Sequence, residues 1–175
     1  MDFTRKSIWV KDGHKTPDPS TSNYAGVVSR DSVHIALTYA ALNDVDVTAA
    51  DIQNAYLKAP SSEKHFIVCG TEFGLEHVGM IALIQRALYE GKMAGCDFWI
   101  HLRSCMNFLG YKLIQGDPAL WMWEAIKDDG TQYWEYVLLY VNDCLVVYEN
   151  GDKVLRNEMG RYFTLKKASI GPLKV

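Results

Sequence analysis

The sequence lacks several features that would assign it to a class of protein at once. No run of about 18 apolar residues is present to cross a bilayer, and residues 1–6 show no apolar stretch of a signal peptide. The four cysteines form no C-x-x-C pair and have no histidine at zinc-ligand spacing. We therefore expect an intracellular protein, cytoplasmic or nuclear and not secreted, whose cysteines are buried apolar side chains rather than redox groups.

Common catalytic signatures are also missing. The sequence contains no P-loop, no H-E-x-x-H and no G-x-S-x-G. Asp44, Asp46 and Asp51 suggest the start of a calcium loop, but Ala49 and Ala55 stand where that loop requires glycine and glutamate. An EF-hand is therefore excluded.

The net charge is small but unevenly distributed. The chain has 18 Lys and Arg against 21 Asp and Glu, a net charge of −3 that argues against nucleic-acid binding by bulk electrostatics. Residues 116–150 contain one basic and seven acidic side chains, whereas 151–175 contain six basic and two acidic ones. The acidic middle is typical of a solvated surface or a cation site.

Apolar side chains are plentiful enough for a folded domain. The chain has 175 residues, 49% of them hydrophobic, with periods of about 3.6 that predict helices and periods of two that predict strands. The expected elements are helices over 31–43, 94–109 (ended by Gly110) and 153–163 (capped by Asn150 and Asp152), and strands over 45–50, 65–69, 80–88, 119–126, 133–141 and 144–148.

The last three strands are expected to form a meander, with Asn142-Asp143 at its second turn. Gly171-Pro172 should break any regular structure near the end of the chain. The predicted fold class is α+β, an antiparallel sheet packed on helices, with a loop-rich segment over 1–23 and a domain over 24–175.

Two carboxylates stand out in this pattern. Asp51 ends a predicted strand, and Asp143 lies at the tip of a hydrophobic hairpin. Taken alone, an Asp after a strand is a common helix cap and Asn-Asp a common turn, so these positions need no function. The sequence around each of these two aspartates, however, favours a functional role.

Residues 51–57 read D-I-Q-N-A-Y-L and residues 140–143 read Y-V-N-D. These two motifs and two segments between them form four motifs in register that resemble the reverse transcriptases of Ty1/copia-type retrotransposons. The resemblance covers roughly residues 8–175. Residues 51–57 are similar to the family's first motif and residues 140–143 to its central motif. Residues 87–98 and 116–121 resemble the segments that separate these two motifs in the family. Residues 24–30 are similar to the family's sequence just before the first palm helix.

The resemblance implies a reverse transcriptase palm with part of the fingers, an RNA-directed DNA polymerase that joins dNTPs to a primer 3′-hydroxyl. It implies two Mg²⁺ ions, one activating the hydroxyl and one neutralising the triphosphate. The implied partners are a primer–template and dNTP, with no membrane. Thumb and RNase H domains, which we do not find in this sequence, would come from a longer polyprotein.

The same correspondence assigns the site residues. Asp51 and Asp143 would be metal ligands and, with Asn142, the catalytic set. Tyr56 would be a steric gate against a 2′-hydroxyl, although it also suits a core aromatic position. The other implied positions are Asn54, Ala55, Lys92 and Met93 for the nucleotide, and Tyr140, Lys166 and Lys167 for primer and template.

The sequence departs from the family at important positions. Asn142 replaces the first aspartate of the hairpin pair, and an amide removes one negative charge and cannot bridge two ions as a carboxylate does. Lys92-Met93-Ala94-Gly95-Cys96 also stands where the family has Lys-Gln-Ala-Pro-Arg. We expect nucleotidyl transfer impaired by at least about 10²–10³-fold. The alternatives are a non-catalytic nucleic-acid-binding or interaction remnant that keeps the palm fold, and a remnant without a selected function.

Overall fold

A computed structural model describes residues 9–149, 153–166 and 171–172. Three α-helices are present in this part of the chain: α1 (Arg30–Asn43), α2 (Ala55–Lys58) and α3 (Ala94–Phe108). The strands are β1 (Asp46–Asp51), β2 (Pro60–Val68), β3 (Ile81–Arg86), β4 (Lys112–Leu113), β5 (Leu120–Ile126), β6 (Gln132–Tyr140), β7 (Asp143–Tyr148) and β8 (Gly171–Pro172). No helix within the described ranges has both the length and the apolar character needed to span a membrane.

The chain divides into two compact units. The first comprises Met1–Tyr24 and Tyr56–Phe98, and the second Ala25–Ala55 and Trp99–Val175. The sequence-based division separates 1–23 from a single domain over 24–175. That expected domain boundary stays a prediction.

The first unit is built around a two-stranded antiparallel ribbon. β2 pairs with β3, with His65 opposite Ile84 and Val68 opposite Ile81. Side chains alternate between more and less exposed along both strands, as the period of two requires. The two predicted strands are therefore confirmed, and β2 begins five residues earlier than expected.

The second unit contains a six-stranded antiparallel sheet in the order β4-β5-β6-β7-β1-β8. The predicted meander is confirmed as β5-β6-β7, and Gly130 takes a φ of 89° in its first turn. Side chains of these strands form the core, where Trp121, Val137, Val146 and Val147 are almost fully buried. β1 joins the sheet by pairing with β7, although the two strands are far apart in the sequence.

The two longer predicted helices are confirmed. α1 begins one residue before the expected Asp31, because the Ser29 side chain accepts a hydrogen bond from the Ser32 N–H at 3.1 Å and caps the first turn. α3 ends at Phe108, and Gly110 follows with the positive φ expected of a residue that terminates a helix. All four cysteines are free and buried, as predicted.

Three local expectations are wrong. The second turn of the meander is Val141-Asn142, because Asp143 is already paired in β7. The last helix is a π-helical turn over Lys153–Glu158 followed by a 3₁₀ turn over Met159–Arg161. Gly171-Pro172 does not interrupt regular structure but forms β8, which supplies hydrogen-bond partners to the open edge of β1.

These last turns bury apolar side chains. Val154, Leu155 and Met159 are fully buried. The proposed caps Asn150 and Asp152 lie outside the described residues.

Candidate active site

The candidate site forms where β1 ends and β7 begins. Asp51 is the last residue of β1 and stands directly opposite Asp143, the first residue of β7. The Ile52 N–H donates to the Asn142 carbonyl at 2.8 Å, so the two aspartates form a non-hydrogen-bonded pair. In such a pair both side chains project from one face, with Cβ atoms about 4.5–5.5 Å apart.

The same register adds an aromatic residue to this face. Tyr140, the last residue of β6, is opposite Asp143 and largely exposed. Tyr140, Asp143 and Asp51 therefore form a row across three neighbouring strands. Local sequence does not determine that row, because β1 is separated from the hairpin by most of the chain.

A fourth member of the row is Lys166. Ile52 forms an antiparallel bridge with Leu165, and the Lys166 N–H donates to the Asp51 carbonyl at 3.0 Å. The Lys166 Nζ lies 2.7 Å from Asp51 Oδ1 and 2.8 Å from Oδ2. An ammonium group therefore compensates the Asp51 carboxylate directly, a contact that the sequence analysis missed because nothing in the sequence pairs 164–166 with 51–53.

Asn142 also turns toward Asp51. Its side-chain Nδ2 donates to Asp51 Oδ2 at 3.2 Å. The amide thus acts as a hydrogen-bond donor where the family resemblance implies a negatively charged ligand. Asp51 therefore accepts hydrogen bonds from an amide N–H and from an ammonium group.

The electrostatic surroundings of Asp143 differ from those of Asp51. Burial raises the pKa of the Asp143 carboxyl above its ordinary value, and the negative charge of Asp51 raises it further, whereas Lys166 acts in the opposite direction. Two carboxylates on one cross-strand pair repel each other unless a cation lies between them or beside them. Among the described residues of this row, the Lys166 ammonium supplies the positive charge.

The hairpin turn that carries Asn142 is strained. Val141 has a φ of 55°, a left-handed value that a β-branched residue rarely adopts. A two-residue hairpin with positive φ at its first position normally has glycine there. The pairing of Tyr140 with Asp143 on either side of the turn holds Val141 in this conformation.

The remaining predicted positions in the second unit lie between β1 and α2. Asn54 has a φ of 53° and is exposed, and the residue that begins α2, Ala55, is buried. Their backbone N–H groups were the expected contacts to a triphosphate. That role stays a prediction, as does the one proposed for Tyr140.

Three predicted nucleotide positions belong to the first unit. Tyr56 is half-buried, with its ring 4.9 Å from that of Tyr89 and 6.0 Å from that of Phe98, and burial raises the pKa of its hydroxyl. These ring contacts are typical of a core aromatic residue, and the role of Tyr56 as a steric gate stays a prediction. Lys92 Nζ bonds the Thr16 carbonyl and Asp18 Oδ1, each at 2.8 Å.

Met93 completes this group and is buried. A buried thioether packs against neighbours and leaves little side-chain surface for a ligand. Lys167 lies outside the described residues. The structure therefore brings together Asp51, Asp143, Asn142, Tyr140 and Lys166 in the second unit, and it describes Tyr56, Lys92 and Met93 within the first.

The chain is similar to part of one curated protein. It is 25% identical over 154 residues to the Retrovirus-related Pol polyprotein from transposon TNT 1-94 of Nicotiana tabacum. The alignment covers 85% of this chain but 11% of that polyprotein, so the chain spans about a ninth of its relative's length. No family model matches the chain, and no solved structure matches it significantly. The similarity indicates an origin in a retrotransposon polyprotein.

Proposed function

We propose that the second unit is the palm of a copia-type reverse transcriptase whose nucleotidyl-transfer site is impaired. The observation that carries the proposal is the cross-strand pair of Asp51 and Asp143, with Asn142 in the adjoining turn. The polymerase reaction joins the primer 3′-oxygen to the α-phosphorus of a dNTP and releases pyrophosphate. A carboxylate pair on one sheet face suits such phosphate chemistry, because it can hold a divalent cation.

Three further observations support the proposal. The motifs follow one another in the family's order, Asp51 before the Tyr140–Asp143 hairpin. The hairpin lies at the centre of an antiparallel sheet, and β1 is its neighbour. The similarity to a transposon Pol polyprotein extends over most of the chain.

The donor set does not fit a two-ion centre. Asn142 presents its N–H to Asp51 rather than a charge to a metal, and Lys166 already compensates Asp51. No group of three or more His, Cys, Asp or Glu side chains that could hold a metal occurs within the described ranges. With Asn142 in place of a carboxylate, the protein supplies one negative charge fewer to two Mg²⁺ ions than the family resemblance implies. The same deficit explains why we propose weak activity or none.

Primer extension on an RNA template tests this proposal. We expect little extension by the chain itself and at least about 10²-fold more by the Asn142→Asp variant, because the substitution restores one negative charge to the site. The Asn142→Asp/Asp51→Ala double variant is the matched control and should lose the gain. Extension by the unchanged chain that disappears in Asp51→Ala would show that the site is not impaired.

Calorimetry provides a readout that does not depend on turnover. Mn²⁺ and Mg²⁺ titrations should give measurable binding for Asn142→Asp and much weaker binding for the unchanged chain. If the variant neither binds these ions more tightly nor extends a primer, while its circular dichroism spectrum is unchanged, the palm proposal is wrong.

A second candidate function is a non-catalytic nucleic-acid-binding module with the same fold. The Lys166–Asp51 ion pair favours it, because the sheet then needs no metal ion to offset its Asp51 charge. This candidate predicts primer–template binding that weakens with salt and does not depend on Mg²⁺. Fluorescence anisotropy with the Lys166→Glu/Lys167→Glu variant tests it, since unchanged binding would exclude this basic segment as the contact.

A further inference from the structure

One face of the β2–β3 ribbon is apolar and open to solvent. Phe66 and Val68 of β2 are 63% and 69% exposed, and Ile81 and Leu83 of β3 are 73% and 46% exposed. Phe66 is opposite Leu83 and Val68 is opposite Ile81, so the four side chains form two adjacent cross-strand pairs on one face. We call these four residues the ribbon patch.

The ribbon packs on its own unit through the face opposite the ribbon patch. The alternate positions His65, Ile67, Ala82 and Ile84 are less exposed and lie on the opposite face. A two-stranded ribbon is marginally stable in water unless its faces are covered. The ribbon therefore has one covered face and one apolar face without a covering element from the described residues.

The size of the patch is that of a functional surface. Four side chains with these exposures present on the order of 400 Å² of apolar area, comparable to the largest patch on a typical monomer. The connection between the strands adds exposed apolar side chains at the same end of the ribbon: Leu75, Val78 and Met80.

We propose that the ribbon patch is the interface between two copies of this chain, packed face to face. Its four side chains carry no charge, and the nearest ionisable neighbour on the exposed positions of β2 is Lys64. A nucleic acid or an acidic protein would need several cations here, which the patch does not supply. A second copy offers the same uncharged, flat surface.

The geometry of antiparallel ribbons suits such a pair. Two sheets that stack face to face lie about 10 Å apart and interdigitate their apolar side chains. A two-fold axis between the copies makes the contact self-complementary, with each patch meeting its equivalent. The four positions of both copies would bury on the order of 800 Å², and the connecting residues bring the total to about 1,000 Å², where specific interfaces begin.

Sedimentation velocity of the full chain tests this inference. We expect a monomer–dimer equilibrium with a dissociation constant in the micromolar range, visible over about 1–200 µM protein. Phe66→Lys and Ile81→Lys should each weaken dimerisation at least 10-fold, because a buried ammonium would face an apolar surface. The matched control is Ile126→Lys on β5, a residue 67% exposed and outside the first unit, which should leave the equilibrium unchanged.

Several results would overturn the inference. These are a monomer at all concentrations, a dimer that neither lysine variant weakens, and a dimer that the Ile126→Lys control weakens equally. Circular dichroism spectra establish whether each variant is folded. If a lysine variant is not folded, Leu83→Gln replaces it in the dimerisation measurement. The inference does not depend on the proposed polymerase ancestry, since no catalytic activity is measured.

Discussion

Lys166 holds both carboxylate oxygens of Asp51, at 2.7 and 2.8 Å, at the end of a sheet strand where Asp51 also faces Asp143. The ammonium group supplies a positive charge beside Asp51, the role that the proposed function assigns to a divalent cation. The pair is partly exposed, so the energy of the contact is modest, but its location makes it informative about the site.

Replacing Lys166 with methionine should therefore destabilise the fold and increase its response to divalent cations. We expect a loss on the order of 1 kcal/mol in unfolding free energy, because Asp51 and Asp143 then repel each other without compensation. Added MgCl₂ should raise the melting temperature of Lys166→Met more than that of the unchanged chain.

The comparison needs two controls. Sodium chloride at matched ionic strength separates cation binding from screening. Lys112→Met, on the exposed side of β4, separates loss of this particular ammonium from loss of any positive charge. Equal responses of both variants to MgCl₂ would rule out a local role for Lys166.

The strained turn predicts an unusual stabilising substitution. Val141→Gly should raise the unfolding free energy by about 1 kcal/mol, because glycine adopts the φ of 55° without a steric penalty while valine does not. Val78 is the control, since it is a similarly exposed valine with a φ of −55°, and Val78→Gly should be neutral or destabilising. Urea denaturation measures both; a clear loss of stability in Val141→Gly would contradict the assigned strain.

Asp117 predicts a pH-dependent contribution to stability. Its buried carboxylate accepts hydrogen bonds from the Ser29 N–H at 2.9 Å, the Ser32 hydroxyl at 2.6 Å and the Ala119 N–H at 3.0 Å. Burial by itself would raise the pKa of Asp117, but these hydrogen bonds outweigh it and hold the pKa below its ordinary value. Asp117→Asn should cost about 1–3 kcal/mol at pH 7, because the amide cannot accept all three bonds.

The sign of the pH dependence follows from the lowered pKa. The contribution of Asp117 is complete above the carboxyl pKa of the unfolded chain and declines as the pH falls through the lower pKa of the folded state. The stability difference between the unchanged chain and Asp117→Asn should therefore shrink in acid. Asp128→Asn, at an exposed position, is the control for the loss of a carboxylate, with denaturation measured at pH 7 and at about pH 3. A difference independent of pH would contradict the assignment.

The cysteines predict low chemical reactivity in the folded protein. All four are free and buried, and burial raises the pKa of Cys144 to about 12. Because the thiolate is the reactive form, iodoacetamide at neutral pH should label the folded chain more than about 10-fold more slowly than the chain in guanidinium chloride. Mass spectrometry counts the labelled thiols, and rapid labelling of the folded chain would contradict the buried assignment.

The sequence alone was sufficient for the elements whose signals are local. The stripe along 94–108 and Gly110 predict α3 because side chains three and four residues apart share a helix face. The alternation on both sides of Asp129-Gly130 predicts the β5–β6 hairpin because the period of two and the turn residues lie within one short segment. Burial of the cysteines followed from their type and from the absence of metal-site spacing.

The tertiary structure decided what depends on pairing between distant segments. The pairing of β1 with β7, which brings Asp51 opposite Asp143, and the contact of 164–166 with 51–53 are set by backbone hydrogen bonds that leave no periodic trace in the sequence. Lys166 was expected to contact the primer and template, a role that stays a prediction, and the structure shows its ammonium on the Asp51 carboxylate. The sequence determined which carboxylates were available, with Asn142 in place of a third, and the pairing of distant segments brought Asp143 and the Lys166 ammonium beside Asp51.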